Sequence, residues 1–363
     1  MKEQKRKYIL NGFLIAKIML IAITNTVAQT KPAFFDMPGL PAKKGFAGMY
    51  AGVSHGNLFC MGGANFPGDY PWQGGKKQWY NGIYMLQEGG KWIKIKQELP
   101  AAAGYGVSVS YKGEIILIGG CNAELHLDTV FGYTWTGEDL KLKSYPSLPH
   151  PLAYMTGGII ENVIVVAGGA EFPGAAATNK CYALDLLNTE AGWKELDSLP
   201  GRERMFPVGA VYKEQFYLFS GETTIVNAAG ENVPLILQDA YKLTISKKDG
   251  QLAGRWEKLA PMPKGAAAAS NPLPVLKNGN IFFWGGVDAL SRLHKDPASF
   301  PGISGDMLLY DPVRDTWSYV GSEKSVTARV TLPVVLWNDR WIYISGETKP
   351  GIRTKSVTAF KNF

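Results

Sequence analysis

The chain is poor in the residues that build metal centres. Histidine accounts for 4 of its 363 residues, and His55, His126, His150 and His294 stand apart, without the spacing of a metal-ligand pair. The glycines, although numerous, form no phosphate-cradling loop. The sequence therefore gives no support to a zinc-type centre or to a nucleotide site.

Cysteine is scarcer still, with only Cys60, Cys121 and Cys181. An odd number excludes a fully paired disulfide framework, because at least one thiol stays free or pairs with another molecule. Cys60 lies inside an apolar segment and Cys181 lies beside another. We therefore predict that they are small core residues and that the chain contains no intramolecular disulfide.

Positive charge is concentrated at the N-terminus. The formal net charge is +7, but residues 1–28 hold five cations against Glu3 alone. No extended run of Lys or Arg follows, so nucleic acid is not an expected partner.

The first 28 residues have the composition of a secretory signal peptide. A basic start is followed by an apolar stretch over residues 13–23, and Ala28 ends a small-residue cleavage site. Lys17 interrupts the apolar stretch and leaves it short for a membrane span. We expect residues 1–28 to be removed on export to the periplasm, which leaves no membrane contact. Residues 29–363 are then predicted to form a single domain.

The body of the chain repeats. Six apolar segments of β type each end at a Gly-Gly or Ser-Gly pair, spaced by roughly fifty to sixty residues, the range of kelch-type propeller blades. The six pairs are Gly62-Gly63, Gly119-Gly120, Gly168-Gly169, Ser220-Gly221, Gly285-Gly286 and Ser345-Gly346. Tryptophan segments and Leu-Pro-like turns recur in register with them. The pattern resembles the kelch repeat and predicts an all-β, six-bladed propeller.

The two ends of the chain complement each other. The last repeat lacks a fourth strand, and residues 33–37 before the first repeat form an orphan strand with its closing turn. We predict that this N-terminal strand completes the sixth blade and closes the ring, which removes two sheet edges.

Polar side chains follow the glycine pairs and the Leu-Pro turns, and both positions lie on one face of such a propeller. Carboxylates mixed with arginines around a concave opening suit a small anionic ligand. The expected lining is Asn65, Glu171, Glu222, Asp288 and Glu347 from the first set, with Arg202, Arg204, Asn271, Arg329, Tyr105 and Tyr154 from the second. Any one of these glutamates is more often solvated than catalytic, but Glu347 and Arg353 are joined by a Lys-Pro-Gly turn that restricts their geometry.

The segment from Glu347 to Thr354, Glu-Thr-Lys-Pro-Gly-Ile-Arg-Thr, resembles the Gly-Glu-x-Lys-Pro-Gly-x-Arg-Thr motif of N-acetylneuraminate epimerases, or sialic acid mutarotases. These are exported six-bladed kelch propellers that exchange the α and β anomers of free sialic acid. In the best-known members the motif lies in mid-chain, whereas here it lies in the final repeat. The chain is therefore similar to a cyclically permuted member, a change that a closed ring tolerates.

The resemblance implies an isomerase whose partner is a sugar acid and which needs no metal or organic cofactor. It implies that Glu347 and Arg353 are catalytic. Arg204, Arg329, Asn65, Glu171 and Glu222 are expected to bind substrate by position only. Two alternatives stay open: a non-enzymatic kelch module that binds glycan or protein, and a mutarotase for another sugar acid. Assembly as a homodimer also stays open.

Overall fold

A computed structural model describes residues 31–294, 296–297 and 299–363. Residues 31–363 belong to one compact unit. The predicted signal peptide and its cleavage site lie outside the described residues, so they stay predictions.

The predicted propeller is confirmed: the described strands form six antiparallel blades around an axis. Short apolar strands alternate with tight turns, and each blade's second strand is buried on both faces between its neighbours. From inner to outer strand, blade 1 contains Tyr50–Ser54, Asn57–Met61, Gly82–Leu86 and Ile93–Glu98, and blade 2 contains Val107–Tyr111, Glu114–Cys121, His126–Trp135 and Leu140–Ser144. Blade 3 contains Thr156–Ile160, Val163–Ala167, Cys181–Asp185 and Lys194–Leu196, and blade 4 contains Val208–Tyr212, Gln215–Phe219, Ala240–Lys248 and Gln251–Leu259.

Blade 5 departs from this pattern. It has three regular strands, Ile281–Trp284, Asp306–Asp311 and Thr316–Ser322. Its innermost segment contains Pro272 and Pro274, which have no backbone N–H to donate to a sheet. The segment still bridges to the next strand, through bonds from the Phe282 N–H to the Pro274 carbonyl at 2.8 Å and from the Leu276 N–H to the Asn280 carbonyl at 2.9 Å.

Blade 6 is built from both ends of the chain. Its strands are Val334–Trp337, Arg340–Ile344, Val357–Lys361 and, as the outer strand, Phe34–Met37. Phe34 lies opposite Phe360, and its ring packs 4.3 Å from that of Trp284 in blade 5. The N-terminal strand therefore closes the ring, as predicted.

Short elements complete the described structure. Three hairpins project from the blades: Ala64–Asn65 with Gln78–Trp79, Glu222–Val226 with Asn232–Ile236, and Glu347–Lys349 with Ile352–Arg353. The helical segments are Pro71–Gln73, Thr189–Ala191 and Ala289–Leu293. No helix of the described residues has the length and hydropathy to cross a membrane.

The core is divided into layers between neighbouring blades, where apolar side chains from two sheets interdigitate. Tryptophans that recur in the repeat link neighbouring blades through hydrogen bonds. The indole N–H groups of Trp193, Trp256 and Trp317 donate at 2.8 to 3.0 Å to backbone carbonyls in the closing turn of the preceding blade. Each carbonyl lies two residues before the Leu or Met of the Leu-Pro-like turn, which explains why the two features recur together.

A closed ring of backbone hydrogen bonds surrounds the propeller axis. One residue per blade donates its N–H to the carbonyl of the previous one, at 2.7 to 2.9 Å, and the ring runs through Gly48, Tyr105, Tyr154, Phe206, Ala268 and Thr331. All six have positive φ, which is costly for the five that are not glycine. The six mutual bonds offset that cost and fix the floor on which the mouth is built. We use "mouth" for the opening above this ring, lined by residues that follow the glycine pairs.

The three cysteines all lie in the described part of the chain. Cys60, Cys121 and Cys181 are buried and unpaired, as predicted.

Candidate functional site

Six equivalent positions line the mouth, one directly after each glycine pair. Each forms an antiparallel bridge with a residue just before the hydrogen-bonded ring, and the six are Ala64, Cys121, Ala170, Glu222, Val287 and Glu347. Four of these side chains are small or apolar, so the repeat itself requires no charge there. The two glutamates, in blades 4 and 6, are exceptions that the fold does not explain.

Glu347 begins the two-strand hairpin of blade 6 and lies directly opposite Arg353 in its register. The turn between them contains Gly351 at φ 76°, where a Cβ atom would lie 2.6 Å from the Pro71 ring of blade 1. This close approach fixes the tip of the hairpin. It holds Arg353 Nη2 at 2.8 Å from Glu347 Oε2, the predicted pairing.

Arg353 is enclosed by its neighbours. Its side chain is 6% exposed, and its guanidinium carbon lies 4.9 Å from the centre of the Phe66 ring. Nη2 also donates to the Tyr105 hydroxyl at 3.5 Å. Nε and Nη1 are buried and have no hydrogen-bond partner among the described residues. A buried unsatisfied donor costs about 1–3 kcal/mol, so the guanidinium is prepared for an acceptor from outside the chain.

The environment of Glu347 makes it a poised proton acceptor. Burial raises the pKa of its carboxyl above the ordinary glutamate value, and the positive charges of Arg353 and Lys77 partly oppose that effect. A carboxyl with a raised pKa is a stronger base when ionised, and such perturbation is typical of acid/base groups.

The structure places three other predicted residues in the wall rather than at the mouth. Arg204 is fully buried and its guanidinium clasps Asp239 through two bonds of 2.6 and 2.9 Å. Arg329 is 2% exposed and donates to the carbonyls of Ser345 and Ser356. The framework satisfies Arg204 at all three nitrogens, whereas Arg329 keeps Nε buried without a partner among the described residues. Their burial and their bonds to the framework favour a structural role for both.

Asn65 also forms hydrogen bonds with the framework. Its amide donates to the Gly45 carbonyl at 2.8 Å and its oxygen accepts from the Tyr80 hydroxyl at 2.8 Å. It stabilises the loop after the first glycine pair, and its hydrogen bonds leave little capacity for substrate.

The remaining predicted carboxylates are paired on the rim. Glu171 contacts Lys180 at 2.7 Å. Glu222 accepts two bonds from Arg292, at 2.6 Å and 3.0 Å, and that arginine is 44% exposed. Asp288 caps the helix Ala289–Leu293 and contacts Lys264 at 2.7 Å. Of the residues predicted at the mouth, the structure brings Arg353 together with Glu347, and Tyr105 together with Arg353.

Sequence reasoning missed the contribution of blade 1. Phe66, which directly follows the hairpin strand Ala64–Asn65, lies against Arg353 of the blade 6 hairpin. Lys77, which precedes the strand Gln78–Trp79, lies above the ring of Tyr105. The signal in the sequence was the alternation Lys77-Gln78-Trp79, which puts the lysine and the tryptophan on one strand face.

The floor of the mouth is asymmetric. Tyr105, Tyr154 and Phe206 supply bulky rings on one half, whereas Gly48, Ala268 and Thr331 leave the other half open. A cavity of about 70 Å³ along the axis is lined by these ring residues. Tyr105 lines this cavity and also accepts a hydrogen bond from Arg353, so the Glu347–Arg353 pair adjoins the cavity.

Comparison with known proteins identifies the family of the chain. A family model described as N-acetylneuraminate epimerase matches residues 11–142 and 145–294. The chain belongs to this family. The matched ranges end before Glu347, so the family match and the Glu347–Arg353 motif are separate observations.

Curated relatives carry the same name. The N-acetylneuraminate epimerase of Yersinia pestis (strain Pestoides F) is 41% identical over 243 residues, which are 59% of this chain and 57% of the relative. That of Haemophilus influenzae (strain PittEE) is 42% identical over 99 residues, 23% of this chain and 26% of the relative. The alignments thus span about a quarter to just over half of these relatives.

A solved structure titled "Structure of YjhT" has the same fold. It covers 89% of this chain and 99% of its own, with a TM-score of 0.64 and 16% sequence identity. The cyclic permutation of the motif stays a prediction.

Proposed function

We propose that the protein is a mutarotase that exchanges the α and β anomers of free N-acetylneuraminate. The observation that carries the proposal is the Glu347–Arg353 pair, a largely buried carboxylate with a raised pKa beside a guanidinium with two unpaired donors. Membership of the epimerase family and the names of the relatives support the same substrate.

The chemistry requires a proton shuttle at the anomeric carbon. Glu347 accepts the proton of the C2 hydroxyl, a water molecule donates a proton to the ring oxygen O6, and the C2–O6 bond breaks, which gives the open-chain ketone. Rotation about the C2–C3 bond presents the other face of the carbonyl. The O6 hydroxyl then attacks C2 and passes its proton to the hydroxide left from that water, while Glu347 returns its proton to the new C2 oxygen.

Arg353 orients the reacting carbon. Sialic acid carries its carboxylate on C2, next to the hydroxyl that must lose a proton. The unpaired donors of Arg353 bind that carboxylate, and the Phe66 ring restricts the plane of the guanidinium. The substrate is thereby held with its anomeric hydroxyl toward Glu347.

Export to the periplasm belongs to the proposal. A basic, then apolar N-terminus ending in a small-residue cleavage site supports it. In that compartment the activity would speed the supply of the anomer that a scavenging cell takes up.

One alternative receives less support than the other. A non-enzymatic binding module would present Glu347 exposed and unpaired, whereas the carboxylate is 17% exposed and contacts Arg353. A mutarotase for another sugar acid shares the carboxylate clamp, and substrate comparison separates it from the proposal.

Proton NMR of a freshly dissolved anomer tests the proposal. The wild-type protein should shorten the approach to anomeric equilibrium for N-acetylneuraminate, and a second 2-keto sugar acid run alongside reports selectivity. An unchanged approach for N-acetylneuraminate with acceleration of the other acid would favour the alternative substrate. Acceleration of neither would contradict mutarotation.

A further inference from the structure

Lys77 is a charged residue of the mouth to which the mechanism gives no role. It precedes the strand Gln78–Trp79 of the blade 1 hairpin, on the side that faces the Glu347–Arg353 hairpin. Its ammonium nitrogen lies 4.0 Å from the centre of the Tyr105 ring and 4.6 Å from that of Trp79. Two aromatic faces therefore hold the cation in place.

The ammonium has no acceptor of its own. Among the described residues, Lys77 forms no hydrogen bond and no ion pair, in contrast to Lys180, which contacts Glu171 at 2.7 Å. Tyr105 connects it to the reacting pair, because the ring under Lys77 carries the hydroxyl that accepts from Arg353 Nη2. Lys77 is also near enough to Glu347 for its charge to act on that carboxyl.

The charges of the site show why a second cation is needed. Glu347 and Arg353 already neutralise one another across 2.8 Å. A substrate carboxylate that binds Arg353 adds a second negative charge beside Glu347, and two like charges in a largely buried site repel strongly. One further positive charge restores the balance, and Lys77 is the cation that the blade 1 hairpin brings there.

We propose that Lys77 is the second cation of the substrate-carboxylate site and binds the sugar acid together with Arg353. This inference rests on the proposed function, since it takes a sugar acid as the ligand. The aromatic faces orient the ammonium without competing for its three donors, which stay available to a carboxylate. The hairpin of blade 1 thus contributes a substrate-binding residue to a site whose other residues lie in blade 6.

Calorimetric titration with N-acetylneuraminate and with its methyl ester tests the proposal in the full chain. The ester removes the negative charge and keeps the sugar. Lys77→Met should weaken binding of the acid by about tenfold or more, the usual worth of a charge-assisted hydrogen bond, and should leave ester binding nearly unchanged. Lys77→Arg should retain most of the preference for the acid.

The neighbouring Lys76 provides the matched control. It is exposed, and Lys76→Met makes the same change in net charge one residue away. The control variant should bind both ligands as the wild type does. Circular dichroism of each variant establishes that the fold is intact.

Two results would overturn the proposal in distinguishable ways. If wild type and Lys77→Met share the same preference for acid over ester, Lys77 does not contact the carboxylate, and the proposed function stands. If the wild type binds neither ligand, the proposed function fails and the assignment of Lys77 fails with it.

Discussion

Blades 4 and 6 contain the same framework around a glutamate, but the two glutamates have different partners. Glu222 and Glu347 each follow a Ser-Gly pair and each begin a hairpin. Behind them, Arg204 and Arg329 donate to the serine carbonyl at the same distance, 3.0 Å. The backbone scaffold of the two sites is therefore shared.

The partner of each glutamate differs. Glu222, which is 15% exposed, accepts two hydrogen bonds from Arg292, whose side chain is 44% exposed, so an arginine open to water pairs the carboxylate through both oxygens. Glu347 has a single contact with Arg353, which is 6% exposed and keeps two unpaired donors. The comparison teaches that the repeat supplies the position, whereas the length of the hairpin and the neighbouring blade decide whether the position is reactive.

Of the variants that test this comparison, Glu347→Gln should cause the largest loss, in the rate of anomeric exchange. An amide cannot accept the anomeric proton, so the exchange rate should fall by about 10²–10⁴ while ligand binding persists. The matched change Glu222→Gln should leave the rate close to that of the wild type. Exchange at the wild-type rate in Glu347→Gln would refute the assignment and direct attention to Glu222 and Glu171.

Arg353→Lys should have the next largest effect. A lysine ammonium cannot reproduce the planar guanidinium that lies against Phe66, so binding of N-acetylneuraminate should weaken by about tenfold or more. Arg292→Lys makes the same change at the blade 4 pair and should leave affinity unaltered. Calorimetric titration of both variants checks this, and equal losses would remove the distinction between the two blades.

Substitution of the two buried arginines, Arg204 and Arg329, tests the comparison through the stability of the protein. Arg204→Met leaves Asp239 without its partner and should lower the free energy of unfolding by about 3 kcal/mol, with little change in the exchange rate of folded protein. Arg329→Met removes the bond that supports Ser345, two residues before Glu347, and should lower both stability and rate. Chemical denaturation and NMR exchange measure the two quantities. A rate loss in Arg204→Met as large as in Glu347→Gln would instead support substrate binding by Arg204.

The pH dependence of activity should show the smallest effect. Glu347 acts as a base only when ionised, so activity falls as the pH drops through its pKa. Burial raises that pKa, while Arg353, Lys77 and the Gly351 N–H lower it, and the net shift is upward. The acid limb should therefore lie above the ordinary glutamate range, and Lys77→Met should move it to still higher pH. A limb that Lys77→Met leaves in place would show that the two groups do not interact.

Much of the fold follows from the sequence, because a glycine-containing pair marks every blade and Leu-Pro-like turns close all of them but the fifth. The orphan strand at residues 33–37 also revealed the ring closure, since only an unpaired edge in blade 6 could receive it. The inner segment of blade 5 escaped prediction because its prolines interrupt a strand whose position the repeat still demands. The positions of the prolines do not predict which hydrogen bonds fix this segment in the blade.

The site was harder to predict than the fold. Arg353 lies six positions after Glu347 in one motif, so their proximity could be inferred locally. The partners of Arg204 and Arg329 could not be inferred from position alone, because a rim location in the repeat does not show that Asp239 or a carbonyl accepts hydrogen bonds from the guanidinium. Lys77 and Phe66 come from the opposite end of the chain, and only ring closure brings them to blade 6.

A crystal structure of the protein with N-acetylneuraminate tests the central claim most directly. The account predicts the substrate carboxylate within hydrogen-bond distance of Arg353 and Lys77, with the C2 hydroxyl toward Glu347. A substrate seated instead on Glu222 and Arg292 would contradict it.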